Sequence, residues 1–168
     1  MTTVSNAPRG STRVIVESLD NEFALLHNNS LQLLRTTPSA LLYVTLAQHH
    51  TATDGLSVGE SLIRGARILE QTFGGLTANL WDHPLEWTLP ENLSSIGLLA
   101  EYLNEVEETR NRSFSTFLTD DDLLKSISLP TGTFQSLINL LLTTLIQGAH
   151  YQGQALAILR SLSRRSGG

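Results

Sequence analysis

Apolar residues recur at every third or fourth position through four long stretches of this chain. Clusters of proline, glycine and small polar residues separate them. That period puts one side chain per turn on a common helical face, and no period-2 strand of useful length competes with it. The first helix is expected from about Thr12 to Arg35, with Ile15, Leu19, Glu22, Phe23, Leu26, Ser30 and Leu33 in phase. Thr36-Thr37-Pro38 stops it, because a residue before proline is pushed out of the helical region. Ala40 to Ala47 reads as one or two further turns before the polar segment His49 to Gly55.

Ser57-Val58-Gly59-Glu60 has the form of a capping box, in which each side chain satisfies a backbone donor left orphaned at a helix start. It opens a second helix with Val58, Leu62, Gly65, Leu69 and Phe73 on one stripe, and Gly74-Gly75 marks its end. Leu76 to Glu91 is a longer connection than the usual 2–8 residues or so. It carries Trp81 and Trp87, whose rings are expected to cover the edge of the domain. Asn92 is the expected N-cap of a third helix reaching about Phe117, striped by Ile96, Leu99, Ala100, Leu103, Val106, Arg110, Ser113, Phe114 and Phe117. Thr119 to Asp122 repeats the capping pattern and predicts one short turn ending near Ile127, and Leu129-Pro130-Thr131-Gly132 is a break. The fourth helix is expected over Phe134 to Leu162. Phe134, Leu137, Ile138, Leu141, Leu145, Gly148, Ala149, Gln152, Ala155, Leu156 and Leu159 trace its inner face.

Four such helices in 168 residues imply an all-α, four-helix bundle forming one domain over 1–168, with 1–11 and 163–168 frayed. With no cysteine, disulfides, thiolate metal sites and a Cys nucleophile are excluded. The net charge is −5 and the arginines are scattered, with only Arg160, Arg164 and Arg165 clustered, so no nucleic-acid surface is expected. The longest apolar run, Leu137 to Ile146, is half of the ~20 residues a membrane span requires. No signal peptide is expected either, and the chain reads as cytoplasmic.

Polar residues interrupt the stripes near their middles. Glu107 and Arg110 stand one turn apart, Gln147, Tyr151 and Gln154 fall at i, i+4 and i+7, Arg64 precedes Gly65, and His27 follows Leu26. If they converge, they line a pocket between helices, as bundles commonly provide. Otherwise the charged ones snorkel to the surface or pair with each other. Glu22 and Glu107 are the candidate buried carboxylates. None of the five histidines forms a His-x-x-x-His or Glu-x-x-His pair. His49 and His50 are adjacent, while His27, His83 and His150 stand singly. No nucleophile elbow or phosphate-binding glycine loop is present.

The order of motifs resembles the DinB-like (YfiT-like) family over about residues 12 to 162. The likeness rests on Leu56-Ser57-Val58-Gly59-Glu60, on Tyr102-Leu-Asn-Glu-Val-Glu-Glu-Thr-Arg110, and on Gln147-Gly-Ala-His-Tyr-Gln-Gly-Gln154 followed by Ala-Leu-Ala-Ile-Leu-Arg160. Its most specific piece is Gln152-Gly153-Gln154, similar to an Arg-Gly-Gln that follows the last metal histidine in family members. The resemblance implies an up-down-down-up bundle, which the long second connection suits, and a homodimer. It also implies a divalent metal such as nickel or zinc on three histidines, and a thiol-linked transferase or isomerase activity. By counting from the motifs, those three positions fall on Arg64, Gln147 and Tyr151. An arginine cannot ligate a cation and repels one. No cofactor is therefore expected, with a non-standard metal site around His150, His49 or His50 as the alternative. A guanidinium, an amide and a phenol suit a small anionic ligand, with Arg64, Gln147, Tyr151, Gln154, Glu107 and Arg110 as candidate pocket residues. Two other possibilities stand beside it: a metal-dependent, thiol-linked enzyme, and a purely structural dimerisation module.

Overall fold

A computed structural model describes residues 12–46, 56–81 and 89–166 of the chain. Its helices are α1 (Val14–Thr36), α2 (Val58–Ala78), α3 (Ile96–Ser115) and α4 (Leu137–Ser166). Short 3-10 turns occupy Ser39–Leu41 and Asp120–Leu124. A hairpin of β1 (Ser126–Ser128) and antiparallel β2 (Phe134–Ser136) precedes α4. The described chain is all-α apart from that hairpin. None of the described helices is long and apolar enough to cross a membrane.

α2 and α3 start on local caps, whereas α1 starts on a distant one. At α2, Ser57 Oγ accepts from the Glu60 amide at 3.1 Å while the Glu60 carboxylate accepts from the Ser57 amide at 2.8 Å, which is the expected capping box. At α3 the cap is Ser95, whose Oγ accepts from the Leu98 amide at 3.2 Å. The helix thus begins three residues beyond the expected Asn92. α1 has no side-chain cap of its own; Asp120, over a hundred residues away, accepts from the amides of Ile15 and Val16 at 2.9 and 3.0 Å. A carboxylate there also complements the positive end of the helix dipole.

Several expected boundaries shift. Gly74-Gly75 does not stop α2, which continues to Ala78 and ends on left-handed Asn79 (φ 56°), whose amide bonds the Gly75 carbonyl. The fourth helix begins at Leu137, not Phe134. Phe134 sits in β2 and is 72% exposed, because the break at Pro130 to Gly132 is a hairpin turn with Gly132 at φ +77°. α4 then runs through Ser166, so residues 163–166, expected to fray, are helical. The expectations for 1–11, for His49 to Gly55 and for His83 and Trp87 lie outside the described residues.

The core centres on Phe23 of α1, Phe73 of α2 and Phe114 of α3, with ring centroids 5.1 to 5.9 Å apart. Around them are buried Val16, Leu34, Leu62, Leu99, Leu103 and Leu141. On α1 the buried phase includes Val16, and the expected inner residues Ile15 and Glu22 are exposed. On α4 it includes Leu140, Thr144, Ile158 and Leu162, while the expected inner residues Ala149 and Leu156 face outward. α1 and α2 each pack against both α3 and α4. α2 and α4 pack closely at Gly65 and Gly148. A Cβ on Gly148 would lie 2.8 Å from a Leu26 methyl and 3.0 Å from a Leu69 methyl. The Tyr43 ring lies on Gly59 at the start of α2, and its hydroxyl donates to the Leu93 carbonyl. Burial, with Glu60 and Glu91 nearby, pushes this phenol up to about 12.

Candidate functional site

The expected convergence of polar side chains on one cavity does not occur; the candidates divide among three places. The first is the α1–α3 seam. Arg110 occupies a core position of α3 and is 2% exposed. Its guanidinium donates to both Glu107 oxygens at 2.7 and 2.8 Å, to Asn111 Oδ1 at 2.6 Å, and to the Asp20 carboxylate of α1. It also lies over the Phe114 ring, 5.3 Å from the centroid. Burial opposes the charge, but the bonds to Glu107 and Asp20 outweigh it and raise the pKa further. Arg110 is thus a neutralised strut between two helices, with no positive field left for a ligand.

The second place is a small cavity where all four helices meet. It is lined by Leu26, His27 and Ser30 of α1, Ser61 and Gly65 of α2, Val106 and Glu107 of α3, and Gly148 and Gln152 of α4. Its volume is about 30 Å³, room for a water or two and for no organic ligand. Gln152 donates to the Leu26 carbonyl at 2.7 Å and to Ser30 Oγ at 2.8 Å, locking α4 to α1. His27 has its pKa lowered, chiefly by burial and in part by Arg110, against opposing effects of Glu107 and Asn104.

The third place is an open groove between α2 and α4 with a volume of about 590 Å³, in the range of small-molecule sites. Ile68, Gln71 and Thr72 form one wall, and Thr143, Gln147 and Tyr151 the other. Trp81 and the hairpin turn at Leu129 to Thr131 close one end. Its floor is tied by the buried Thr72–Thr144 hydroxyl pair at 2.8 Å. Trp81 is held by Gln71, which donates to its carbonyl at 2.7 Å, and by its own ring packing on Gly75. Arg64 is exposed and lines neither cavity nor groove; it makes no hydrogen bond or ion pair with the described residues. It stands one turn before Ile68 on the same face of α2, at the end of the groove away from Trp81. Gln154, three residues past Tyr151, has a buried Oε1 with no partner among the described residues.

The three positions at which the resemblance expects metal ligands hold Arg64, Gln147 and Tyr151, on the groove side of α2 and α4. That donor set does not fit a divalent cation, since the guanidinium repels one. Among the described residues no three His, Asp or Glu side chains come together as metal ligands. His150 is exposed, with its ring against Tyr151, and His49 and His50 lie outside the described residues. The sequence pattern missed Ile68, Gln71, Thr72 and the hairpin turn as groove residues. Only the aromatic content of the connection after α2 hinted at Trp81. Asp20, the partner that fixes Arg110, carried no signal at all. No protein-family model matches this chain, and no curated protein matches it significantly.

Proposed function

We propose that this chain is a metal-free, DinB-like four-helix bundle, wired up-down-down-up, that binds a small organic anion in the groove between α2 and α4. Cross-helix pairs support the wiring. Arg13 bonds the carbonyls of Phe114 and Phe117, so the start of α1 meets the end of α3. Thr72 meets Thr144 and Gly65 meets Tyr151, so α2 and α4 run oppositely. Leu26 lies beside Gly148 and Leu33 beside Leu156, so α1 and α4 run together.

The observation that carries the ligand reading is the contrast between two arginines. Arg110 is fully paired, whereas Arg64 is an exposed cation with no hydrogen bond or ion pair among the described residues, on the same α2 face as the wall of a ligand-sized groove. Arg64 supplies a forked donor for a carboxylate or phosphate group. Gln147 and the Tyr151 hydroxyl add neutral hydrogen bonds, and Trp81 offers an aromatic wall for an apolar body. From Leu140 to Tyr151 the groove extends about 16 Å along α4, which bounds the ligand's length. The chemistry is binding and orientation.

Thermal shift with a panel of aromatic and aliphatic carboxylates, phosphates and sulfonates tests this. A binder present at 100 times its Kd stabilises the fold by about 2.7 kcal/mol. Arg64→Ala is expected to weaken the same ligand about 10- to 100-fold, the worth of one charge-assisted contact. A panel without any binder, or a binder indifferent to Arg64→Ala and Tyr151→Ala, would contradict the proposal.

A further inference from the structure

The groove between α2 and α4 changes chemistry along its length in a fixed order. At one end a Cβ on Gly65 would lie 3.4 Å from the Tyr151 Cβ, and the residue before it, Arg64, is exposed. In the middle, Gln71 of α2 and Gln147 of α4 stand on opposite walls. Counted from the Thr72–Thr144 hydroxyl pair, with the two helices running oppositely, their levels differ by about 3 Å. At the far end Trp81, Pro130 and Leu140 present apolar surface. The indole N–H of Trp81 already donates to Asn79 Oδ1 at 3.0 Å, so the ring offers an apolar face with its polar group satisfied. None of the described residues that line the groove is charged.

A ligand that suits all three zones carries an anion at one end, hydrogen-bonding groups in the middle and an apolar group at the other end. An alkyl carboxylate suits the ends but strips water from both glutamine amides and returns no hydrogen bond. A sugar phosphate pairs the amides and leaves Trp81 and Leu140 without apolar contact. An extended peptide meets every zone. Its N–H and C=O groups point sideways toward the two walls, and a glutamine amide carries both the donor and the acceptor they require. Among the described residues Gln147 makes no hydrogen bond, and Gln71 donates to the Trp81 carbonyl at 2.7 Å while its Oε1 stays open to a ligand. We propose, resting on the reading of this groove as the anion site, that its ligand is the C-terminus of an extended peptide. The terminal carboxylate sits on Arg64 and the Tyr151 hydroxyl, backbone amides lie between Gln71 and Gln147, and an apolar side chain meets Trp81, Pro130 and Leu140. The direction of the peptide follows from charge, because Arg64 repels a terminal ammonium. Its length follows from helical rise. Leu140 to Tyr151 spans about 16 Å, or about five extended residues at ~3.3 Å each, so the apolar side chain belongs to the fifth residue from the end. Capture of a C-terminal carboxylate is a recurring mode of peptide recognition.

Isothermal titration calorimetry of the full chain tests this with an acetylated pentapeptide, phenylalanine followed by four alanines, made as the free acid and as the C-terminal amide. The free acid is expected to bind at least ~10-fold tighter than the amide, a preference that Arg64→Ala abolishes. Trimming the peptide to its last three alanines should cost about 10-fold by withdrawing the ring from Trp81. Gln147 is exposed, so Gln147→Leu leaves the fold intact. It should weaken the pentapeptide and strengthen dodecanoate, which has a similar length and no amides. Equal affinity for acid and amide, or dodecanoate binding as tightly as the pentapeptide, would overturn the peptide ligand. So would a small anion that binds through Arg64 while the pentapeptide neither binds nor displaces it, a result that leaves the anion groove standing. Failure of every anion and peptide to bind would remove both.

Discussion

Two residues of the interior make opposite use of ionisation. Arg110 is charged and buried because Glu107 and Asp20 reach it. Removing one member of such a set strands the others, so Arg110→Ala is expected to destabilise by about 3 kcal/mol in urea unfolding. Replacing the inner pair together, as Arg110→Met with Glu107→Leu, should recover most of that loss. A double variant no more stable than Arg110→Ala would contradict the strut. His27 is held neutral by burial beside the small cavity. With a folded pKa below the ordinary 6.5, the unfolded chain binds the proton first as pH falls. Stability from this group is therefore intact above about pH 6.5 and declines as the solution is acidified through that value. His27→Gln should flatten the decline in a series of melting curves, and an unchanged slope would show that other groups cause it.

The helices were legible from their spacing, but their ends were legible only where the cap lies in the next few residues. Ser57 with Glu60 and Thr119 with Asp122 are such local pairs, and both form as read. Asp120 capping α1 is a contact across the fold, so no local pattern announces it. The hairpin escaped because three-residue strands are too short to show alternation. Glycines carried two meanings that sequence alone does not separate. Gly148 exists for close packing of α4 on Leu26 and Leu69, whereas Gly97 in the first turn of α3 meets only Ser95 Oγ at 3.8 Å. Gly148→Ala is accordingly expected to destabilise by about 1 kcal/mol net of its helix-propensity gain. Gly97→Ala should stabilise by about 0.5 kcal/mol. Melting temperatures that move in the same direction would refute this division.

At the scale of the molecule, helical phase told which residues border the core but not which neighbour each one meets. Of the six candidate pocket residues, Gln147 and Tyr151 line the α2–α4 groove, and Arg64 is exposed on the same α2 face as Ile68. Glu107 and Arg110 turn inward to α1 instead, because α3 packs on α1 there. The cavity among the four described helices is water-sized, and the ligand-sized space lies between α2 and α4, walled partly by a connection and a hairpin turn. Such walls come from loops whose placement depends on the finished packing, so a helical period cannot reveal them. The groove, with exposed Arg64 beyond its end on the same face of α2, is the centre of the functional proposal. Trp81 lines that groove, and replacing Trp87 by Phe leaves it as the sole tryptophan reporter. The decisive measurement is a fluorescence titration of that protein with the best anion from the thermal panel, beside the same protein carrying Arg64→Ala. A saturable change in Trp81 emission that weakens at least tenfold with Arg64→Ala is expected; stabilisation by the anion with Trp81 silent, or equal affinity in both proteins, would place the ligand elsewhere.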